Sequence, residues 1–495
     1  MTTNSNLRIA IIGGGPGGLT LARILLTRGI TSTVFELDEH PLSRPQGGSL
    51  DLHAESGQLA LREAGLEAQF KALARYDDQG GAIYDQDGVL RFQEPESAME
   101  GDRPEIDRTQ LRQILIDSLP KETIHWGSKI SAVEPLADGR YSVMNGIESL
   151  GTFDLVVGAD GAWSKVRPLV SKETAAYSGI LCIELNIDDV DTQHPELAKL
   201  IPHGKIGAHG KGCGFIAQRS SHGQIRVYLM FNVPEEQARQ GFIDLSSPER
   251  ARAAIKALLP GWAPSLLAFV DECNDTINAR PIVALPPKHH WAHRSGVTLI
   301  GDAAHVMPPF GGEGVNLAML DALELGLAVA ANPDWDAAVA ACEVRMLTRS
   351  AEVAPGAMQG LLGFASEGGL EHALEHFASM EHPTVSEASG TPKEVFDTRI
   401  TEKTQSAEVR EKVNAVYRFD LSGPNGGTWI VDFKEATAGV RQCDEASQCT
   451  VSMTDDNFLS MIAGEFSPRT GFMNGKLKIK GDMGLAMKLS EVLSA

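Results

Sequence analysis

The chain has 495 residues, of which 42% are hydrophobic and 22% are charged, a composition typical of folded globular proteins rather than disordered ones. This length allows two or three hydrophobic cores, and the net charge of −21 argues against a nucleic-acid-binding protein because such a surface repels phosphate. The six cysteines lack CxxC spacing, which favours a reducing compartment over a disulfide framework or a zinc site. With no signal-like N-terminus and no 18-residue apolar run, we expect a cytoplasmic protein without a membrane span.

The first motif is a glycine-rich turn between an apolar strand and a helix. The strand Ile9–Ile12 runs into Gly13-x-Gly15-x-x-Gly18. The first glycine permits the tight turn, the second lets a diphosphate approach the backbone, and the third lets the helix pack closely. The helix N-terminus then offers N–H groups and a positive dipole to that diphosphate. Glu36 lies where ribose hydroxyls would bind and would repel a 2′-phosphate, so FAD or NAD is favoured over NADP here.

The second motif follows another buried strand, Phe153–Val157. It places Asp160-Gly161 after the strand, with Ser164 and Arg167 at the start of a predicted helix. Taken alone, this pattern is equally an ordinary strand–turn–helix with a capping serine.

The third motif is the stretch "GDAAHVMPPFGGEGVN" (301–316), which follows the predicted strand Val297–Ile300 and runs into a helix. Asp302 can accept a hydrogen bond from a ribityl hydroxyl. Three glycines would let backbone N–H groups face a ring, at a helix N-terminus that favours negative charge. These are Gly311, Gly312 and Gly314. The loop suits a flat, polar, partly anionic heterocycle such as a reduced flavin.

In this order and at these separations, the three motifs resemble those of the class A flavoprotein monooxygenases, the para-hydroxybenzoate hydroxylase-like enzymes. The likeness covers roughly residues 5–375 and is nearest to the tetracycline-inactivating monooxygenases. It extends to "RPQGGSLDLH" (44–53) and "PEIDRTQLRQIL" (104–115). The resemblance implies FAD as cofactor and NADPH, or NADH, as reductant.

The resemblance also implies a set of cofactor-binding residues. They are Gly13, Gly15, Gly18, Glu36, Arg44, Asp51, Arg112, Asp160, Asp302, Pro309, Gly312, Gly314 and Asn316. Arg44 would lie by the flavin and meet NADPH, and Asp160 and Arg167 belong to a segment associated with both nucleotides. Two positions depart from the tetracycline-inactivating enzymes. Glu313 stands in place of a glutamine and Arg226 in place of a substrate-facing histidine, so tetracycline is not carried over as the substrate.

We therefore expect an α/β fold in residues 1–377, a Rossmann-like FAD-binding domain with an inserted substrate-domain β-sheet at about 175–290. Gln218, Arg219 and Arg226 lie in segments of that sheet and are candidates to face the substrate. A helical stretch follows residue 334. Residues 378–392 are rich in Pro, Ser, Thr and Glu and read as a linker to a separate small α+β domain, 393–495.

The tail begins with short strand-like runs, "VYRFDL", "TWIVDF" and "TVSMT", and then shows helices, the first capped by Thr454. Its "FMNGKLKIKGDMGLAMKL" segment resembles the sterol carrier protein type 2 lipid-binding domain, whose sheet and helices enclose an apolar tunnel for lipid or acyl ligands. Adaptable thioethers and aromatic rings could line such a tunnel, or could equally be ordinary core. The candidates are Phe458, Met461, Phe466, Phe472, Met483 and Met487.

The monooxygenase resemblance implies hydroxylation of a large apolar or polycyclic aromatic molecule with NAD(P)H and O₂, through a flavin C4a-hydroperoxide. The chemistry is the cofactor's, so no catalytic side chain or metal is needed, and the sequence has no HExxH motif. Two alternatives stay open: Baeyer–Villiger insertion or epoxidation on the same fold, and a lipid-binding or transfer protein whose flavin domain is redox-inert.

Overall fold

The computed structural model describes residues 4, 6–43, 47–94, 103–381, 391–406, 409–410, 413–434, 437–443, 445, 447–462, 476–481 and 485. The chain divides into two compact units, Met1–Leu374 and Glu375–Ala495. The helix Gly369–Glu381 runs into the segment predicted as a linker, so helical structure extends there to residue 381.

The first unit is built on a five-stranded sheet whose strands are all parallel. In sheet order they are Val297–Leu299, Leu155–Gly158, Ile9–Ile12, Ser32–Phe35 and Ile124–His125. All four residues of the central strand are buried, as expected for a sheet covered on both faces. Because the strands are parallel, the three predicted motifs leave the sheet at the same edge.

Helices and two small sheets surround this sheet. The α-helices are Pro16–Thr27, Gly57–Glu63, Glu67–Leu73, Arg108–Asp117, Asp302–His305, Glu313–Ala331 and Trp335–Phe364, with 3₁₀ turns at Asp77–Gln79, Lys121–Thr123 and Arg167–Leu169. One small sheet comprises Glu148–Phe153, Tyr141–Asn145 and Ala132–Pro135, and the other pairs Ser49–Asp51 with Glu105–Asp107. Gly326 brings two of these helices together, since a Cβ there would lie 2.6 Å from Cγ2 of Ile24.

A seven-stranded sheet forms the second layer of this unit. In order its strands are Asn278–Ala284, Ala176–Ile187, Gln224–Asn232, Cys213–Ser220, Lys205–Gly210, Gly81–Asp85 and Leu90–Gln93. The predicted range of about 175–290 supplies only five of them. The last two come from earlier in the chain, and Gly81–Asp85 pairs in parallel with Lys205–Gly210.

The two faces of the seven-stranded sheet have different neighbours. One face packs against the helices inserted in this part of the chain, through Phe215, Val227 and Leu229. Those helices are Val190–Gln193, Pro195–Leu200, Glu235–Gln240, Pro248–Ala257 and Pro264–Asp271. The other face, called the cleft face below, carries Cys182 and Met230 and packs against Phe310 of the 301–316 loop and against the helix Trp335–Phe364.

Of the described residues, only the helix Glu313–Ala331 is long and apolar enough to cross a membrane, and half of its apolar window is buried. Asn316 and Asp321 within it are buried and hydrogen-bonded to neighbouring segments. We therefore assign it as a core helix.

The second unit has its own five-stranded sheet, in the order Gly439–Arg441, Gly427–Asp432, Val416–Ser422, Cys449–Thr454 and Leu477–Gly481. Its helical segments are Pro392–Val395, Phe396–Ile400, Thr401–Gln405 and Asp455–Ile462. The predicted cap is confirmed, because Thr454 Oγ1 accepts the N–H of Asn457 at 3.1 Å. The mixed α/β class and the separate small C-terminal domain are also confirmed.

Candidate functional site

The first glycine turn is shaped by close backbone contacts on two of its glycines and by open space on the third. A Cβ on Gly13, which has φ +112°, would lie 2.2 Å from the carbonyl oxygen of Ala159, and one on Gly18 would lie 2.1 Å from that of Gly13. A Cβ on Gly15 would meet no atom within 4 Å. Gly13 and Gly18 are thus required by the fold, whereas Gly15 leaves room beside the N-terminus of Pro16–Thr27.

Glu36 and Arg112 fix the conformation of this turn by hydrogen bonds to its backbone. The Gly14 N–H donates to Oε2 of Glu36 at 2.5 Å, and the Asp38 N–H donates to its Oε1 at 2.9 Å. Arg112 is only 2% exposed, donates through Nε to the Gly14 carbonyl at 3.0 Å, and lies 3.1 Å from Oδ2 of Asp38. Both predicted cofactor residues are therefore already engaged in fixing the turn.

Arg167 joins the second and third motifs. Its guanidinium is buried and donates to the carbonyl oxygens of Ala303 at 2.8 Å, Ala162 at 2.8 Å and Asp302 at 3.2 Å. Oδ2 of Asp160 accepts the N–H of Lys165 at 2.6 Å, and burial raises the pKa of this aspartate. The sequence places these turns about 140 residues apart, and the structure brings them side by side.

A buried ion-pair network supports the turn at Gly301. Oδ2 of Asp321 accepts the Gly301 N–H at 3.1 Å and lies 2.6 Å from Nε2 of His305, while Arg349 donates to its other oxygen at 2.8 Å. Burial lowers the pKa of His305, but the carboxylate of Asp321 outweighs it and the net shift is upward. With the loop held in this way, the side chain of Asp302 is exposed.

Asn316 ties the 47–57 segment to the N-terminus of Glu313–Ala331. Its Oδ1 accepts the N–H of His53 at 2.9 Å, and its Nδ2 donates to the carbonyls of Asp51 and Gly312, both at 2.9 Å. A Cβ on Gly312, which has φ +69°, would lie 2.4 Å from Oδ1 of Asp51. Burial raises the pKa of Asp51, but the hydrogen bond from His53 and nearby positive charges lower it overall.

The three turns and the 47–57 segment therefore border one cleft at the carboxyl edge of the parallel sheet, the position where such sheets bind ligands. Close contacts link the turns: a Cβ on Gly17 would lie 3.1 Å from the Ala318 carbonyl, and one on Gly301 would lie 2.8 Å from the Ala318 Cβ. Gly161 and Gly314, like Gly15, have open space where a Cβ would be. Helix N-termini and bare backbone of this kind fit FAD.

The three candidate substrate residues do not all lie on the same face of the seven-stranded sheet. Gln218 and Arg226 are register partners on it: Gln218 donates to Oε1 of Glu105 at 3.1 Å, and Arg226 to Oδ1 of Asn186 at 2.7 Å. Arg219 lies on the opposite face, where it contacts Asp191 and the Ile201 carbonyl. The prediction that Arg219 faces the substrate is wrong, because successive side chains alternate across a strand.

The remaining predicted residues divide into two groups. Pro309 is exposed in the 301–316 loop, whereas Phe458 and Met461 are 0% and 5% exposed in the core of the second unit. Phe458 stacks on Phe396 at 4.9 Å between ring centroids, so in this structure it is packed as core. Five others lie outside the described residues: Arg44, Phe466, Phe472, Met483 and Met487.

Three residues of this region were missed by the sequence reasoning. Glu105 pairs with Asp51 across two short strands, Tyr228 faces the Gly47–Gly48 turn, and Asp321 supports Gly301. A single acid or tyrosine within an apolar segment carries no local sequence signal that would predict such a contact. Only the tertiary pairing of distant segments identifies them.

Comparison with known proteins gives matches to both units. The model of the FAD binding domain family matches residues 6–334, and that of the SCP-2 sterol transfer family matches residues 395–494. The chain is 33% identical over 372 residues to monooxygenase penA of Penicillium thymicola, covering 66% of this chain and 85% of penA. Over 108 residues it is 42% identical to hydroxysteroid dehydrogenase-like protein 2 of Homo sapiens, covering 21% of this chain and 25% of that protein.

A solved structure, that of tetracycline destructase Tet(51), is similar in fold. It has a TM-score of 0.55 at 18% identity and covers 78% of this chain and 99% of its own. At this identity the likeness concerns the fold alone. Together the matches confirm both resemblances drawn from the motifs.

Proposed function

Because the chain belongs to the FAD binding domain family of monooxygenases and is therefore an oxidoreductase, we propose that it hydroxylates a large apolar or polycyclic aromatic molecule with NADPH or NADH and O₂. The observation that carries the proposal is the convergence of three glycine turns on one cleft that an apolar sheet face borders. When bound, the flavin supplies the electron transfer and oxygen activation.

The residues around the cleft have separable tasks toward FAD. The open backbone at Gly15, with the N-terminus of Pro16–Thr27, would take the diphosphate. The exposed carboxylate of Asp302 would accept a ribityl hydroxyl. The N-terminus of Glu313–Ala331 would favour negative charge on the ring, beside the open position at Gly314.

Apolar packing beside the cleft supports an apolar substrate. Ile180, Cys182 and Met230 of the cleft face pack with Phe310, Leu361 and Phe364. Burial raises the pKa of Cys182 to about 12, so its thiol is neutral and packs within this buried apolar cluster. Such a cluster keeps water away from one side of the cleft.

The C-terminal unit belongs to the SCP-2 sterol transfer family, and we propose that it binds a lipid or acyl ligand. The described part of its core is filled by aromatic rings, with Phe396 stacked on Trp429 at 4.6 Å. A ligand bound among these residues would therefore have to displace this packing. The six free cysteines of the chain support a reducing, cytoplasmic location.

The test is a screen of polycyclic aromatic and lipid compounds against the purified protein, scored by NADPH oxidation. We expect bound FAD, slow NADPH oxidation alone, and faster oxidation with substrate, giving a product one oxygen atom heavier. The product structure then separates hydroxylation from Baeyer–Villiger insertion and epoxidation. FAD-loaded protein that never oxidises NADPH or NADH would instead support the redox-inert lipid-binding alternative.

A further inference from the structure

The side chain of His53 lies between two carboxylates beside the cleft. Its Nε2 is 3.2 Å from Oδ2 of Asp51, and its Nδ1 is 3.9 Å from Oε2 of Glu313. The imidazole is only 2% exposed, whereas the two carboxylates are 24% and 29% exposed. Among the described residues, no other carboxylate lies within 4.0 Å of either ring nitrogen. The three side chains therefore form a row in which one buried imidazole faces an acid on each side.

Backbone contacts fix this row against the loop of the third motif. The N–H of His53 donates to Oδ1 of Asn316 at 2.9 Å. A Cβ on Gly312 would lie 2.4 Å from Oδ1 of Asp51, and Glu313 is the first residue of the helix that follows. The row therefore borders the part of the cleft where the ring of the cofactor is proposed to lie.

The charges around the row favour a proton on the imidazole. Burial raises the pKa of Asp51, but the hydrogen bond from His53 and the positive charges of Lys205 and Arg103 lower it overall, so Asp51 is ionised. Burial raises the pKa of Glu105, the register partner of Asp51, which favours its neutral form. A carboxylate beside an imidazole favours the protonated imidazole. With an acid facing each nitrogen, His53 can hold a proton whose charge is paired.

The proposed reaction consumes a proton as well as a hydride. Monooxygenation converts RH, O₂, NAD(P)H and H⁺ into ROH, NAD(P)⁺ and water, so each turnover uses one proton. The hydride brings a negative charge into the cleft before that proton is used. An uncompensated charge is costly in a site partly closed to water. A residue that takes up a proton at this stage lowers the cost, and histidine is the side chain that does so near neutral pH.

Two other histidines near the cleft are less suited to this task. Burial lowers the pKa of His305, but Asp321, 2.6 Å away, raises it overall, so His305 favours the protonated form before any charge is added. His289 has both nitrogens engaged, with the Ala304 carbonyl at 2.7 Å and the Ser171 hydroxyl at 2.9 Å, and burial lowers its pKa. Neither of them lies between two carboxylates.

Resting on the proposed monooxygenase function, we propose that His53 is a proton-holding residue, which takes up one proton when the cofactor bound in the cleft accepts a hydride. The proton comes from solvent through the partly exposed carboxylates of Asp51 and Glu313, and the imidazolium is then paired on both sides. When the cofactor is oxidised again, His53 releases this proton, which is the one that the water product requires. No electron passes through the row.

The experiment measures the midpoint potential of bound FAD against pH, between about pH 5 and pH 8, by electrochemical titration without oxygen or substrate. For a two-electron couple, each proton taken up makes reduction about tenfold less favourable per pH unit, which equals about 30 mV. Within this range we expect the potential of the wild type to fall by about 30 mV more per pH unit than that of His53→Asn. The reason is that the variant takes up one proton fewer.

A second variant, Glu313→Gln, keeps His53 and removes one of its two acids. We expect it to move the range of extra proton uptake to lower pH, because a single carboxylate favours the protonated imidazole less than two do. A role of the row in packing alone would not shift this range.

His293→Asn is the matched control. His293 also lies between two acids, Asp336 at 3.4 Å and Glu343 at 2.8 Å. Asp336 accepts the N–H of Gly296, which precedes the strand Val297–Leu299, so this second row lies at the amino edge of the parallel sheet, opposite the cleft. The pH dependence of the potential should be unchanged in His293→Asn.

Equal pH slopes in the wild type and His53→Asn would overturn the inference. An unchanged pH range in Glu313→Gln would also overturn it, and this variant decides the question if His53→Asn does not hold FAD. A changed slope in His293→Asn would assign the effect to any loss of histidine and contradict the specific role of His53. FAD content and oxygen-dependent NADPH oxidation of the wild type test the proposed function separately, so the two failures are distinguishable.

Discussion

The glycines of the first turn allow a cofactor effect to be separated from a folding effect. In Gly18→Ala the new methyl group would lie 2.1 Å from the Gly13 carbonyl oxygen and 3.2 Å from Cγ2 of Ile11. Neither atom can move without shifting the central strand or the turn. Overpacking of this kind costs about 1–3 kcal/mol, so we expect Gly18→Ala to lower the free energy of unfolding by about 2 kcal/mol.

Gly15→Ala should behave in the opposite way. Gly15 has φ −79° and ψ 177°, which alanine adopts freely, and its methyl group would meet no protein atom within 4 Å. The small loss at a helix N-cap and the gain from a stiffer unfolded chain nearly cancel, leaving stability within about 1 kcal/mol of wild type. If the diphosphate lies there, the new methyl group would keep it away from the backbone N–H groups. Losing one hydrogen bond to a charged group in this way should weaken FAD binding about 10- to 150-fold.

The assay is urea unfolding of the FAD-free proteins together with FAD titration followed by flavin fluorescence. The account predicts a stability defect in Gly18→Ala and an affinity defect without a stability defect in Gly15→Ala. Full FAD affinity in Gly15→Ala, or unchanged stability in Gly18→Ala, would refute the reasoning.

Further changes test other parts of the structure. Arg112→Ala should lower the free energy of unfolding by about 3–5 kcal/mol in urea, because it removes the buried ion pair with Asp38 and the hydrogen bond to the Gly14 carbonyl. Asp302→Ala should lose FAD, yet its melting temperature should equal that of FAD-free wild type, and Asp302→Asn should retain more FAD; full occupancy in both would contradict the placement of that loop. Phe458→Ala should destabilise the C-terminal unit by about 3–5 kcal/mol with FAD content unchanged. The pKa of His305 is raised from 6.5, so its contribution to stability is complete below about pH 6.5 and is lost as pH rises through the raised value. Wild type should therefore lose unfolding free energy with rising pH in that range, and His305→Asn should not.

The parallel sheet was predictable because its strands carry strong local signals. Ile9–Ile12 and Val297–Leu299 are continuous apolar runs that end at glycine turns, as buried parallel strands do. The seven-stranded sheet was only partly predictable. Gly81–Asp85 joins it by pairing with Lys205–Gly210, more than 100 residues later, and no local pattern specifies that partner.

Other differences arise where tertiary burial overrides local preference. The helix Trp335–Phe364 continues through Pro355, which normally ends a helix. It continues because Ala357 and Leu361, beyond the proline, are buried in the core. At the site, the sequence predicts which glycines matter, whereas the loop-fixing contacts of Arg112 follow only from the folded geometry.

The most direct test of the central claim is a crystal structure of the protein with FAD bound. The account predicts one FAD molecule with its diphosphate against the backbone of Gly15, its ribityl chain at Asp302 and its ring beside Gly314. A cofactor bound away from these turns, or in contact with one of them alone, would contradict it.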